Sequence, residues 1–161
     1  GNVMGSRGSV IPLFLRKKNE DSLPITDLRM TRFMITLEEG VKLVWDAFND
    51  MKGGETYVKK IKSMKVTDIA LAINPNAKFD IIGIRPGEKL HEKMISSDDA
   101  PFTFEYKDYF KILPIINNWN EDIDRIKSGN LVEDDFIYAS NLNKEWMSKD
   151  ELRNWIKDQN K

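Results

Sequence analysis

The first ten residues of the chain carry the groups that a phosphate site needs. Residues 1–10 hold three glycines, two serines, an asparagine and an arginine. Glycine lets the backbone approach an anion closely, successive N–H groups in such a turn form an anion-binding concavity, and Arg7 adds a bidentate guanidinium. The spacing fits neither the dinucleotide fingerprint nor the P-loop, and flexible linkers have a similar composition. The stretch therefore predicts phosphate binding without naming the ligand.

A second cation follows an apolar run. Residues 79–84 are typical of a strand, and Pro86 and Gly87 force a turn after it. Arg85 is therefore expected at the end of a strand, facing the mouth of a crevice, although a surface turn with ordinary charges would show the same pattern. After the turn, helical spacing predicts a helix from the apolar residues Leu90, Met94 and Ile95.

Taken together with residues 24–33, these stretches resemble one known family. The chain is similar to the C-terminal part of the UDP-N-acetylglucosamine 4,6-dehydratases, particularly the inverting type that starts pseudaminic acid synthesis. The resemblance runs in register from residue 1 to about residue 116, including residues 53–55 and 62–65, and weakens afterwards, although residues 135–141 and Trp146 still fit. It implies an α/β fold, with this chain as the C-terminal substrate-binding part of an extended short-chain dehydrogenase/reductase.

The family patterns that carry catalysis do not occur in this sequence. Family members begin with a glycine-rich dinucleotide fingerprint and carry a Tyr-x-x-x-Lys pair, and no residue here matches that pair or the family's Asp-Lys acid/base pair. The chain also starts without methionine. We therefore expect a fragment that lacks the NADP-binding half, contains no catalytic residue and does not turn over substrate alone.

The resemblance also implies a division of the chain. Residues 1–15 form a loop at cofactor and substrate followed by a short helix, and residues 36–58 give a helix and a strand to the nucleotide-binding sheet. Residues 16–35 and 59–161 form mainly the substrate lobe.

The family's binding residues can be placed on this sequence one at a time. The positions implied to line the NADP site are Val3, Met4, Gly5, Ser6 and Arg7. The positions implied to contact the UDP-sugar are Asn2, Val10, Thr26, Arg85 and Glu88. Their chemistry agrees, because an amide both donates and accepts, a guanidinium grips a diphosphate, and a carboxylate accepts from hydroxyls.

The implied reaction oxidises the sugar at C4, eliminates water across C5 and C6, and inverts C5 to give a UDP-4-keto-6-deoxy sugar for surface polysaccharide or flagellin glycosylation. A retaining dehydratase or an epimerase of the same superfamily remains an alternative, as does a sugar-nucleotide-binding module without chemistry. The family also implies a cytoplasmic homo-oligomer.

Composition excludes several other classes of function. The 161 residues are 40% hydrophobic and 32% charged with a net charge of −1, which is typical of a soluble globular domain and unlike a nucleic-acid groove. There is no cysteine, so disulfides and thiolate metal sites are excluded. His91 is the single histidine, which excludes a multi-histidine metal site. No apolar run approaches the roughly 20 residues that span a bilayer.

The clearest predicted helix begins after Thr36. Thr36 and Glu39 have capping-box spacing, and Gly53-Gly54 ends the pattern. One face of this helix carries apolar side chains that are expected to be core: Val41, Val44, Trp45, Phe48 and Met51. If this face and the strand at residues 55–58 pack on elements outside the chain, we expect a dimer or a rearranged packing.

The remaining elements are short. We expect a helix at residues 9–15, an edge strand at 24–26, a solvated lysine loop at 59–65 and a helix at 68–73. A hairpin is expected across residues 102–113. Ser148 and Glu151 predict a second capping box, before a last helix with the apolar stripe Leu152, Trp155 and Ile156.

Overall fold

A computed structural model describes residues 2–159, without the side chains of Asn2, Asn117 and Asn120. The strands are β1 Asn2–Val3, β2 Ser22–Ile25, β3 Thr31–Ile35, β4 Thr56–Lys59, β5 Lys62–Lys65, β6 Lys78–Ile81, β7 Lys93–Ile95, β8 Thr103–Glu105, β9 Tyr109–Ile112, β10 Asn130–Leu131 and β11 Tyr138–Ala139. The α-helices are α1 Val10–Arg16, α2 Leu37–Asp50, α3 Val66–Ile73, α4 Ile123–Ile126 and α5 Lys149–Gln159. Two 3₁₀ helices span Ala100–Phe102 and Ile116–Glu121. The mixture of helices and strands agrees with the predicted α/β class.

The chain divides into two compact units. Unit 1 contains residues 1–36, 61–92 and 143–161, and unit 2 contains residues 37–60 and 93–142. The division predicted from the sequence, with residues 16–35 and 59–161 as mainly the substrate lobe, stays a prediction. The placement of residues 36–58 in a nucleotide-binding sheet stays a prediction; within this chain, β4 pairs antiparallel with β9.

Unit 1 is held by an apolar core between two small sheets and three helices. In one sheet β1 pairs parallel with β3, and β3 pairs antiparallel with β5; in the other, β2 runs parallel to β6. Phe14 of α1, Ile69 of α3 and Leu152 of α5 are buried in this core. The helices predicted at residues 9–15 and 68–73 are therefore confirmed, as is the apolar stripe of the last helix.

The capping box at the start of α5 is also confirmed. The Glu151 N–H donates to Ser148 Oγ at 3.2 Å, and the Ser148 N–H donates to Glu151 Oε2 at 2.8 Å. These bonds satisfy backbone groups that the first helical turn leaves unpaired. They fix the point at which α5 begins and so direct Leu152 toward the core.

The lysine-rich stretch is not the solvated loop that its charge suggested. Residues 62–65 form β5, and Ser63 and Met64 between the two terminal lysines are buried. The Ser63 N–H donates to Glu145 O at 2.9 Å, and Lys62 pairs with Glu151. The prediction was wrong because pairing of β5 with β3 buries Ser63 and Met64. The flanking lysines do not prevent this, since their long side chains keep the charged groups in solvent.

The predicted helix after Arg85 is also wrong. Residues 93–95 form β7, which pairs antiparallel with β11 in unit 2. Three apolar residues at helical spacing are a weak signal, and the ladder partners that β11 supplies outweigh it.

Unit 2 is organised by a four-stranded sheet with the order β10-β8-β9-β4, in which neighbouring strands are antiparallel. The hairpin predicted across residues 102–113 is confirmed as β8 and β9. Its Tyr106 N–H donates to Tyr109 O at 2.9 Å. α2 begins right after Thr36, as predicted, and ends before Gly53 and Gly54, which have positive φ.

The apolar face of α2 is not core in this chain. Five side chains predicted to be buried, Val41, Val44, Trp45, Phe48 and Met51, are 47–70% exposed. The amphipathic pattern correctly makes this face apolar, but a pattern does not supply the element that covers it. Within the part of the chain that the structure describes, no element does. Self-association through such a face stays a prediction.

The longest helix that the structure describes, α2, has 14 residues. Across the described residues, no helix combines the length and apolarity that a membrane span needs.

Candidate functional site

A cleft of about 240 Å³ in unit 1 brings together most of the residues expected to bind substrate. Its lining includes four of the five: Val10, Thr26, Arg85 and Glu88. The fifth, Asn2, has a side chain outside the described part of the chain. We refer to this cavity as the cleft.

Parallel pairing explains why residues distant in sequence meet at the cleft. β2 and β6 run in the same direction, and Ile25 lies opposite Ile81 at their carboxyl ends. Because Thr26 and the segment leading to Arg85 continue from these ends, both emerge at the same edge of the sheet. The crevice at the carboxyl ends of parallel strands is where ligands bind in α/β proteins.

A tight turn sets Arg85 and Glu88 side by side. The Glu88 N–H donates to Arg85 O at 3.0 Å, and the Arg85 N–H donates to Glu88 Oε2 at 3.4 Å. Gly87 has a φ of +82°, a conformation that other residues rarely adopt. The turn thus presents an exposed guanidinium and a carboxylate to one cavity.

Arg32 of β3 is a cleft residue that the sequence analysis did not single out. Its side chain is only 13% exposed, and its Nη1 donates to Thr31 O at 2.8 Å and Leu90 O at 3.2 Å. Its Nη2 lies 3.8 Å from Glu88 Oε1. The available signal was the strand alternation, since a charged residue between the buried Thr31 and Phe33 belongs on the opposite face.

The segment from Val3 to Arg7, expected to bind the cofactor, does not line the cleft. Met4 is buried and its N–H donates to Ile35 O at 2.9 Å, while the Ser6 N–H donates to Val3 O at 3.1 Å. Gly5 packs so tightly on Trp155 that a Cβ there would lie 3.0 Å from the indole ring. Ser6 and Arg7 are exposed. Two N–H groups of the expected anion concavity are therefore already used by the backbone.

Unit 2 contains a second group of charged residues, which we call the polar network: Asp50, Glu55, Tyr57, Lys111 and Arg125. Lys111 is 1% exposed, and its Nζ donates to Asp50 Oδ2 at 2.6 Å and to Arg125 O at 2.7 Å. Tyr57 donates to the same Asp50 oxygen at 2.7 Å. Arg125 Nη1 donates to Gly53 O at 2.9 Å and pairs with Glu55.

The protonation states of the polar network follow from these contacts. Burial of Asp50 would raise its pKa, but hydrogen bonds from Lys111, Lys127 and Tyr57 outweigh burial and lower the pKa to about 2. Burial, reinforced by the Asp50 charge, raises the pKa of Tyr57 well above its ordinary value. The carboxylate therefore stays ionised and the phenol stays a donor at neutral pH.

Asp27 and His91 are engaged in hydrogen bonds. Asp27 lies next to the cleft residue Thr26, and its hydrogen bonds from the Arg29 side chain and backbone lower its pKa to about 2. His91 Nδ1 lies 2.8 Å from Thr31 Oγ1. In residues 2–159, no group of three or more acidic, histidine or cysteine side chains could hold a metal ion.

Known proteins match this chain in sequence and in fold. It is 51% identical to a UDP-N-acetylglucosamine 4,6-dehydratase (inverting) of Campylobacter jejuni serotype O:2, over 94% of this chain and 48% of that protein. It is 40% identical to a UDP-glucose 4-epimerase of Rickettsia rickettsii, over 70% of this chain and 34% of that protein. The X-ray structure of Pen from Bacillus thuringiensis matches with a TM-score of 0.78 and 35% identity, over 99% of this chain and 47% of that one.

These matches settle the fold class and the family. The structural match confirms the predicted fold, the α/β arrangement of part of an extended short-chain dehydrogenase/reductase. The chain spans about half the length of the curated dehydratases that it matches. A family model described as polysaccharide biosynthesis protein matches residues 1–114, and the chain therefore belongs to the polysaccharide biosynthesis protein family.

Proposed function

We propose that this chain is the UDP-sugar-binding part of a nucleotide-sugar 4,6-dehydratase that acts on UDP-N-acetylglucosamine and inverts C5. The observation that carries the proposal is the cleft, which gathers Val10, Thr26, Arg85 and Glu88 from three separate stretches of the chain. The 51% identity to an inverting dehydratase supports the choice of substrate. The proposal includes a cytoplasmic enzyme in a route to surface polysaccharide or glycosylated flagellin.

The cleft contains the donors and acceptors that a UDP-sugar requires. Arg85 is exposed at its mouth and offers a planar fork of donors to the diphosphate, a charge-assisted contact that is stronger than a neutral hydrogen bond. Glu88 accepts from sugar or ribose hydroxyls. Val10 gives an apolar surface beside them, so the cleft has the mixture of apolar walls and few polar groups typical of ligand sites.

The residues from Val3 to Arg7 fit an NADP contact only in part. The exposed Ser6 hydroxyl and Arg7 guanidinium are suited to hold a phosphate, whereas the Met4 side chain is buried in the core. NADP supplies the acceptor and later the donor of hydride when bound. The groups of this chain would bind and orient the two ligands; those that move protons at C4, C5 and C6 are not among its residues.

An epimerase is the second candidate, because UDP-glucose 4-epimerases of Rickettsia also match this chain at about 40% identity. They match 70% of the chain, whereas the dehydratases match 94%. The two activities differ in their product, since an epimerase retains the C6 oxygen and a dehydratase loses it as water. Mass spectrometry of the sugar formed by a full-length protein with this sequence would separate them.

Calorimetric titration of UDP-N-acetylglucosamine into the chain tests the proposal. We expect saturable binding that Arg85→Ala weakens by about 10- to 100-fold, because a hydrogen bond to a charged group contributes roughly 1.5–3 kcal/mol. Arg29→Ala is the matched control, since Arg29 is equally cationic but pairs with Asp27 outside the cleft lining. Equal losses in the two variants, or no binding to the unaltered chain, would contradict the proposal.

The proposal also predicts no turnover by this chain alone. Incubation with UDP-N-acetylglucosamine and NADP should leave the nucleotide sugar unchanged, because no residue matches the family's acid, base or catalytic tyrosine. Formation of a 4-keto sugar would contradict this part of the account.

A further inference from the structure

Arg32 occupies an unusual position for a cation. Its side chain is largely withdrawn from water, yet among the described residues the carboxylate that pairs with it is 3.8 Å away, between Nη2 and Glu88 Oε1. That separation exceeds the roughly 3.2 Å limit of a good N–H···O hydrogen bond. A charge taken out of water normally gains close, hydrogen-bonded compensation. The Arg32–Glu88 pair is therefore incomplete as it stands.

The guanidinium is nevertheless held in place. Nη1 donates to Thr31 O and Leu90 O, at 2.8 Å and 3.2 Å. The Thr31 N–H also donates to Leu90 O at 3.1 Å, so β3 and the segment that follows Glu88 are joined at this point. These bonds hold the guanidinium in place and leave its Nη2 edge facing Glu88.

We propose that Arg32 and Glu88 together bind one hydroxyl group of the sugar, and that Arg32 is thereby a specificity-determining residue. This inference rests on the proposed function. An oxygen about 2.9 Å from each of two atoms 3.8 Å apart subtends an angle of roughly 80°, and a small shift of the partly exposed Glu88 side chain widens that angle toward the tetrahedral value. A hydroxyl accepts from Arg32 Nη2 and donates to Glu88 Oε1, whereas a phosphate oxygen has no proton for the carboxylate. The pair therefore selects a hydroxyl and leaves the diphosphate to Arg85.

Comparing UDP with UDP-N-acetylglucosamine isolates the sugar contact. The affinity for UDP reports the fold of the cleft and the diphosphate contact, and the ratio of the two affinities reports the sugar. We expect Arg32→Met and Glu88→Gln each to lower this ratio about tenfold. A loss of affinity for UDP with an unchanged ratio would place the shared hydroxyl on the ribose and overturn the sugar contact. A site that binds a substrate hydroxyl loses discrimination when its polar partners are removed.

The double variant distinguishes one shared hydroxyl from two separate ones. If Arg32 and Glu88 hold the same group, Arg32→Met with Glu88→Gln should lower the ratio no further than either change alone. An additive loss of about a hundredfold would overturn the shared contact. Arg32→Lys retains the charge and N–H donors but loses the planar guanidinium, so we expect a loss of about threefold, and this variant decides the question if Arg32→Met does not fold.

The inference and the proposed function fail in different ways. An unchanged ratio in Arg32→Met or Arg32→Lys, with saturable binding of UDP-N-acetylglucosamine, would overturn the role of Arg32 and leave the proposed function standing. An unaltered chain that binds neither UDP nor UDP-N-acetylglucosamine would overturn both.

Discussion

The cleft of unit 1 and the polar network of unit 2 both contain cations beside carboxylates but hold these charges differently. In the network, Lys111 lies 2.6 Å from Asp50 and is almost completely buried. In the cleft, Arg32 and Glu88 are 3.8 Å apart and Arg85 is exposed. The Asp50 carboxylate already accepts from Lys111, Tyr57 and Lys127, so it has little capacity left for a ligand, whereas the more widely spaced pair in the cleft has room for one. We therefore expect the network to stabilise the fold and the cleft to bind the ligand.

The largest expected effect on stability comes from removing one charge of the network. Asp50→Asn leaves Lys111 buried without its carboxylate, and breaking such a pair costs roughly 3–5 kcal/mol in unfolding free energy. Asp46→Asn, on the same helix but in an exposed pair with Lys42, should cost less than about 1 kcal/mol. Urea unfolding measures both. Equal losses of unfolding free energy in the two variants would contradict the account, because the buried pair would then contribute no more than an exposed one.

The contribution of the Asp50–Lys111 pair to stability should also depend on pH. Since the Asp50 pKa is lowered from 3.8 to about 2 in the folded chain, its contribution is complete above about pH 5 and is lost as pH falls toward 2. The difference in unfolding free energy between the unaltered chain and Asp50→Asn should therefore shrink between pH 5 and pH 2. A difference that stays constant through this range would show that the ionised carboxylate is not what stabilises unit 2.

Unit 1 should depend more on caps and apolar packing than on charges. Ser148→Ala removes the hydroxyl that accepts the Glu151 N–H, and loss of an N-cap costs about 1 kcal/mol. Ser128→Ala is the control, because Ser128 is exposed and follows α4 instead of capping a helix. Thermal unfolding of the two variants should differ by a few degrees, and coincident transitions would contradict the structural role of this cap.

The smallest effect on stability is expected in the cleft itself. Arg85→Ala alters an exposed side chain, so the unfolding free energy without ligand should stay within about 0.5 kcal/mol of the unaltered value. A decrease of several kcal/mol in the unfolding free energy would show that Arg85 stabilises the fold, as the residues of the polar network do.

The two apolar helix faces show how much the sequence could predict. The stripe of α5 and the face of α2 have equally clear periodicity, yet Leu152 is fully buried and Phe48 is 70% exposed. Periodicity identifies the apolar side of a helix but does not identify what lies opposite it. The expectation that the α2 face leads to a dimer is checked by sedimentation at increasing concentration, where an unchanging monomer would contradict it.

The residues of the cleft likewise differ in whether they could be identified from the sequence. Arg85 could be placed at the end of a strand from its local pattern, because the turn residues Pro86 and Gly87 leave a local signal. Val10, Thr26 and Glu88 were placed by the resemblance to a family, and the cleft contains all four. Arg32 was missed because strand alternation predicts only which face of β3 it occupies; it does not identify Glu88, 56 positions later, or the Leu90 carbonyl that folding brings close. The strand of residues 62–65 was missed for a related reason: strand pairing, which is not local, decides the burial of Ser63.

The most direct test of the account is the effect of UDP-N-acetylglucosamine on thermal unfolding of the unaltered chain and of Arg85→Ala. A ligand that binds only the folded state raises the unfolding temperature by mass action. We predict equal midpoints for the two proteins without ligand, a rise with ligand for the unaltered chain, and little or no rise for Arg85→Ala. A lower midpoint for Arg85→Ala without ligand, together with an undiminished rise when ligand is added, would contradict the assignment of binding to the cleft.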